Sequence, residues 1–479
     1  MVKRITERPP PPPPPPPREA APAAKKAEAN TAQAPKKAEV NTVQAPKPGA
    51  TETAAAPRQV ADGFETKAPR TPGTRDTGVE APTQPTPAPA PSPGKLDDSD
   101  PMKHITYLAS DELQGRDTPS TGLNAAAAYV TKFAQDYGLK GPNSLNPSDP
   151  YAQPFNLFSF AGPESLSGDA ARGGHAGHAE HKEFGHTLFQ EGFYLDEKMP
   201  AETREVLTRQ YQDSMKEAGW PLAQRSTEPM SVEELRQVAR PEATTQNTMA
   251  LLEGTGPHKG EVLVVMAHLD HVGTSRGKVN NGADDNASGS AVLMSSIPEL
   301  VEAQKRGELD RSVLFVWTAG EEKGLVGSQY FVDHPIPGLG LDKISGVVNV
   351  DMVGRWDDQR LSVVDTNSRG KPNYFREVVT QANAQMADPF DRINQDINMY
   401  RDRQDGAVFS RKGEDVLFMF EGLSNPKGGG DLIPEYHQPT DDVDKILRDN
   451  GGEKPRRIKD LMVNVLKLAA NREAPAPTP

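Results

Sequence analysis

His268 and Asp270 stand two residues apart just past an unbroken apolar run, Val262 to Met266, and this pairing is where chemistry first shows in the chain. Such a run reads as a strand buried on both faces of a parallel sheet. Residues two apart on a strand share a face, so the Asp270 carboxylate could accept the second ring N–H of His268 and set its tautomer. Two further apolar runs also end in acids. Val313 to Thr318 leads through Ala319-Gly320 into Glu321-Glu322, and Gly346 to Val350 stops at Asp351. A turn of small residues, Gly282 to Gly289, carries Asp284 and Asp285, and Tyr436-His437 follows late in the chain within the stretch YHQPTDD.

These donor types fit a catalytic pair of metal ions. The chain has no cysteine, so an ion must be held by His, Asp and Glu. In the arrangement we expect, His268 and Asp351 hold one ion, Glu322 and His437 hold the other, and Asp284 bridges them. Each ion then has one imidazole, one terminal carboxylate and one shared carboxylate, with room for a bridging water. Two Zn2+ ions suit this mixture, with cobalt or manganese as substitutes. Glu321 directly precedes a ligand, which places it to take the water's proton as a general base. Tyr436 could donate to a developing oxyanion. Asp285 and Asn286 are assigned to holding the turn, and His271 and His334 to positions outside the ligand set.

Strands must deliver these residues to one place. Apolar strands alternate with helical patterns, at Ser120 to Tyr137 and from Ser290 onward for example, which predicts an α/β fold with a mixed, largely parallel β-sheet and helices on both faces. In such sheets ligands sit at the carboxyl ends of the strands. We expect one folded domain over residues 97–472, interrupted by a polar and then helical insertion at about 161–243. Within that insertion Ser231 and Glu234 form a capping box before a short helix. It also holds His175, His178, His181 and His186, which the Gly-rich spacing assigns to a solvated loop rather than a second metal site. Residues 1–96, with the proline run Pro9 to Pro17 and the near-repeat of Lys25 to Pro35 in Lys36 to Pro46, read as a disordered Pro/Ala-rich tail, and 473–479 as a short disordered end. The net charge of −13 argues against a nucleic-acid or anionic-membrane partner. No apolar run approaches the roughly 20 residues of a transmembrane helix, and no signal peptide is visible.

At AHLDHVG (Ala267 to Gly273), GADDNASG (Gly282 to Gly289), TAGEEKGLVGS (Thr318 to Ser328), NVDMVGR (Asn349 to Arg355) and YHQPTDD (Tyr436 to Asp442), the chain resembles the co-catalytic di-zinc aminopeptidases of metallopeptidase family twenty-eight. YLASDELQGRDTPSTG (Tyr107 to Gly122) looks like that family's entry segment. The resemblance implies a zinc-exopeptidase-like sheet, removal of residues from peptides with a free N-terminus, His268, Asp284, Glu322, Asp351 and His437 as zinc ligands, and Glu321 as base. It weakly favours a secreted or periplasmic setting. Gln404-Asp405-Gly406 departs from the Ser-Asp-His that the family often carries before its final strand, and the insertion does not look like a protease-associated domain. Carboxypeptidase-type cleavage, glutaminyl cyclisation with a single ion, and a non-catalytic envelope binding protein are the alternatives.

Overall fold

The computed structural model describes residues 97–160, 192–217, 228–275, 277–356, 360–367, 370–395, 397–423 and 432–473. Residues 1–96, residues 474–479 and the four histidines of the insertion fall outside these residues. Among the described residues ten strands are formed: β1 (Ala152–Phe160), β2 (Ala239–Leu252), β3 (Val262–His268), β4 (Thr274–Ser275), β5 (Lys278–Val279), β6 (Ser312–Thr318), β7 (Ile344–Asp351), β8 (Arg360–Val364), β9 (Arg392–Asn394) and β10 (Val416–Phe420). Eight of them make one mixed sheet in the order β1-β2-β6-β3-β7-β10-β8-β9, while β4 and β5 form a separate small hairpin.

The four central strands, β6, β3, β7 and β10, are mutually parallel, and antiparallel pairs flank them at β2/β6 and β10/β8. Their registers align the carboxyl ends. His268 sits opposite Thr318, and Phe420 opposite Asp351. Alternation shows why these strands are apolar throughout. Leu263, Val265, Val313, Phe315 and Val348 pack into the core on one face, while Val262, Val264, Leu314, Val316 and Val347 pack into the core on the other. With helices over both faces neither side chain set meets water, so the polar residues of β3, β6 and β7 collect where the strands end.

Helices follow the local signals. Thr121–Asp136 begins at Ser120, whose hydroxyl accepts from Leu123 N–H, and stops just before Gly138, whose φ of +77° ends the turn. Val232–Val238 carries the Ser231/Glu234 capping box in full. The strand that follows is longer than its sequence suggests. β2 starts at Ala239 and pairs with the whole of β1, from Phe160 opposite Ala239 to Ala152 opposite Thr248. The polar residues of Ala239 to Thr244 hid it, because this end of the hairpin is exposed on both faces and shows no alternation. Among the described residues no helix is long and apolar enough to cross a membrane.

Candidate metal centre

Each candidate ligand comes from the carboxyl end of a central strand or from a loop beside it. His268 is the last residue of β3 and Asp351 the last of β7, and both are buried. Glu322 lies four residues beyond β6, and His437 lies on the loop before the helix Val443–Asn450 with a φ of +56°. Two groups of donors result. His268, Asp285 and Asp351 form one; His271, Asp285, Glu322 and His437 form the other, and within each group the ligating atoms lie within 4.8 Å of one another.

Asp285 belongs to both. Its Oδ1 is 3.3 Å from His268 Nε2, and its Oδ2 is 3.3 Å from His437 Nε2. Asp351 Oδ1 completes the first group at 3.3 Å from His268 Nε2, and Glu322 Oε2 the second at 2.9 Å from His437 Nε2. The expected bridge, Asp284, is therefore corrected by one residue. Its Oδ1 accepts from Gly354 N–H at 2.7 Å and from the Ser288 hydroxyl at 3.2 Å, and it belongs to neither donor group. The turn is irregular, with Asp285 at φ −104°, ψ 97°, so the carboxylate that enters the cleft follows no helical or strand period. Asn286 does hold the turn: its side chain donates to Val350 O and accepts from Gly289 N–H, both at 2.9 Å. Asp441 braces the same turn from the late loop, accepting from the Asp284 and Asp285 amides at 2.9 and 3.0 Å.

Two further assignments change in detail. The ring N–H of His268 at Nδ1 meets the backbone carbonyl of Asp270 at 3.0 Å, while the Asp270 carboxylate stands 3.8 Å away. That carboxylate accepts instead from Glu321 N–H at 3.3 Å, tying the Glu321 backbone to the loop after β3. His271, read as lying outside, is buried inside the second group, whereas His334 pairs with Asp196 at 2.8 Å, remote from it. Tyr436 stacks on His437, ring centroids 3.7 Å apart, and with Glu321 lines the cleft that holds Asp285, Glu322 and Asp351.

Left to themselves these groups share protons very unevenly. Burial pushes Glu321 and Asp351 up, against the pull of His268, and Glu322 raises both further. Burial also acts against an ionised Asp285 and Glu322. For Asp285, hydrogen bonds from His268 and His437 outweigh it; for Glu322, the charge of His437 does so together with hydrogen bonds from His271 and His437, so both acids stay below the usual carboxylate range. His437 is driven up to about 10 by Glu322 and Asp285 despite its burial. A buried cluster with four carboxylates and three imidazoles is costly unless cations compensate it, and its all N and O donor set suits zinc.

Arg116 is a functional-site residue that motif reading missed. It is fully buried and donates to main-chain carbonyls only: Nε to Leu269 O at 2.9 Å, one terminal nitrogen to Leu108 O and to Asn281 O (2.8 Å), the other to Gly282 O at 3.1 Å. It thereby clamps the loop after β3 to the Gly282 turn. Its signal was its place in the segment YLASDELQGRDTPSTG. Arg116→Met should cost about 3 kcal/mol or more, since each buried carbonyl left unpaired costs about 1–3 kcal/mol. Thermal unfolding followed by circular dichroism should shift down by about 5 °C or more. Lys at this position should not restore it, as one ammonium cannot span four carbonyls; an unchanged midpoint for Arg116→Met would remove the clamp from the account.

Residues 247–462 match the model of peptidase family M28. The chain is 29% identical over 197 residues to a probable leucine aminopeptidase of Arthroderma otae, covering 40% of this chain and 50% of that protein. It is 26% identical over 231 residues to aminopeptidase YwaD of Bacillus subtilis, covering 48% of this chain and 46% of that protein. The chain thus spans about half the length of these curated relatives. Among solved structures, BSAP, a zinc aminopeptidase from Bacillus subtilis, superposes with a TM-score of 0.49 at 18% identity, over 78% of this chain and 95% of that one.

Proposed function

We propose that this chain, matched to family M28 over its central and later strands, is a zinc aminopeptidase that holds two ions and removes residues from peptides with a free N-terminus. One observation carries the reading: the Asp285 carboxylate reaches His268 with one oxygen and His437 with the other. A carboxylate shared in this way, with Asp351 and Glu322 as terminal acids, supports a pair of sites rather than one. When bound, the zinc ions would polarise the scissile carbonyl and acidify the attacking water.

The remaining work falls to side chains. Glu321 is the group we assign to proton transfer: it takes a proton from the water as the oxygen attacks the carbonyl carbon, and returns it to the nitrogen as the C–N bond breaks. To Tyr436, which lines the same cleft, we assign donation to the carbonyl oxygen as it gains charge. His268 is held in one tautomer by the Asp270 carbonyl, so its Nε2 is the free donor.

Cleft walls favour an apolar first residue. Met352, Tyr400, Phe418, Phe420 and Leu432 line it, and the Arg403 guanidinium lies 5.7 Å from the Tyr400 ring centroid. Leu and Phe substrates should be accepted and Lys substrates rejected, because a second cation would be desolvated beside Arg403. Arg403→Ala should narrow a Leu-over-Lys preference in kcat/KM by about tenfold. The purified chain should contain about two zinc ions and release amino acids from a panel of aminoacyl chromogenic substrates. Full zinc without release from any of them would count against the aminopeptidase reading.

A further inference from the structure

His271 brings a third imidazole into the cleft. Its ring is fully buried, with Nδ1 2.9 Å from Glu322 Oε1 and 3.8 Å from Asp285 Oδ2. His437 approaches the other oxygen of the same acid, Oε2, at 2.9 Å. Glu322 therefore has one imidazole on each oxygen.

We propose that His271 is a positioning residue: its Nδ1–H donates to Glu322 Oε1 and turns Oε2, beside His437 and Asp285, toward the second zinc ion. This assignment rests on the two-ion reading above. Distance alone does not separate a hydrogen-bond donor from a ligand here, since His437 Nε2 stands equally close to the other oxygen of Glu322. The other ring nitrogen does. An imidazole that ligates through one nitrogen ordinarily donates its second N–H to an oxygen, as His268 does at Asp270 O. His271 Nε2 is buried with no hydrogen-bond partner. If Nδ1 were the ligand, Nε2 would be a buried N–H without an acceptor, which folded proteins rarely keep. With the hydrogen on Nδ1, Nε2 is a bare lone pair.

The ring is also held in place before any ion arrives. A Cβ at residue 282 would come within 2.6 Å of His271 Cγ and Cδ2, so the imidazole fills the space that Gly282 leaves open, at a φ of +56°. The His271 amide donates to Arg116 O at 3.1 Å, which fixes the backbone beneath it. Glu322 then meets a donor whose direction is set by packing.

Zinc titration of the full chain against a chromogenic chelator tests this with two substitutions. His271→Leu keeps the bulk and loses the donor, whereas His271→Asn places an amide N–H near where Nδ1–H stands. We expect His271→Leu to bind the first ion as the parent does and the second about 10–100-fold more weakly. His271→Asn should recover to within a few-fold. An Asn variant as weak as the Leu variant would overturn the proposal in favour of a ligating Nδ1, and a Leu variant with parental affinity for both ions would overturn it outright. Should His271→Leu not fold, 15N-histidine spectra of the zinc-loaded parent decide: a protonated Nδ1 at His271 is expected, and a metal-bound Nδ1 refutes the assignment. A parent protein that takes up fewer than two ions would sink the two-ion reading and this one with it, whereas two ions with an indifferent His271 would sink this one alone.

Discussion

Glu321→Gln should retain its full zinc content and lose about 10²–10⁴-fold in kcat, the range that a positioned general base contributes. The substitution is nearly isosteric and removes only the capacity to take a proton. Glu321 is absent from both donor groups, so metal content should not follow it. Its main chain is anchored through Asp270 and its side chain lines the cleft with Glu322 and Asp351, so the amide should occupy the same place. Reading zinc by elemental analysis and kcat on a leucine substrate from one preparation separates the two roles. A variant that keeps zinc and turns over within tenfold of the parent would show that another group moves the proton.

Asp285→Ala and Asp284→Asn should behave as opposites although the residues are neighbours. Asp285 contributes an oxygen to each donor group, so its loss should weaken both ions and take activity below detection. Asp284 is buried at the Gly354 amide, and burial together with Asp441 pushes it well above the carboxylate range, against Arg355. An amide there keeps an oxygen to accept from the Gly354 amide and the Ser288 hydroxyl, so Asp284→Asn should bind two zinc ions and keep activity within about tenfold of the parent. The reverse result, zinc lost from the Asp284 variant and kept by the Asp285 variant, would restore the bridge expected from the motif alone.

That pair of substitutions marks the boundary between what could be read and what could not. Strand ends were legible because burial on two faces leaves a plain mark: apolar runs that stop at His268, at Asp351 and just short of Glu321-Glu322 imply a parallel sheet with polar groups at its carboxyl edge. The helix caps at Ser120 and Ser231 were legible for a similar reason, since a cap is a local hydrogen bond between residues close in sequence. The outer half of β2 left no such mark, because it is exposed and carries no alternation. Asp284, Asp285 and His271 lie outside any period. Which of them faces the cleft depends on the φ and ψ of an irregular turn, on Asp441 arriving 156 residues later to hold the Asp285 amide, and on Arg116 tying two loops together from 153 residues before Leu269. Residue types and regular strands thus came from the chain itself. The choice between adjacent carboxylates, and the entry of a third imidazole, came only from tertiary contacts, because in an irregular turn the direction of a side chain is set by distant partners and by nothing in its neighbours.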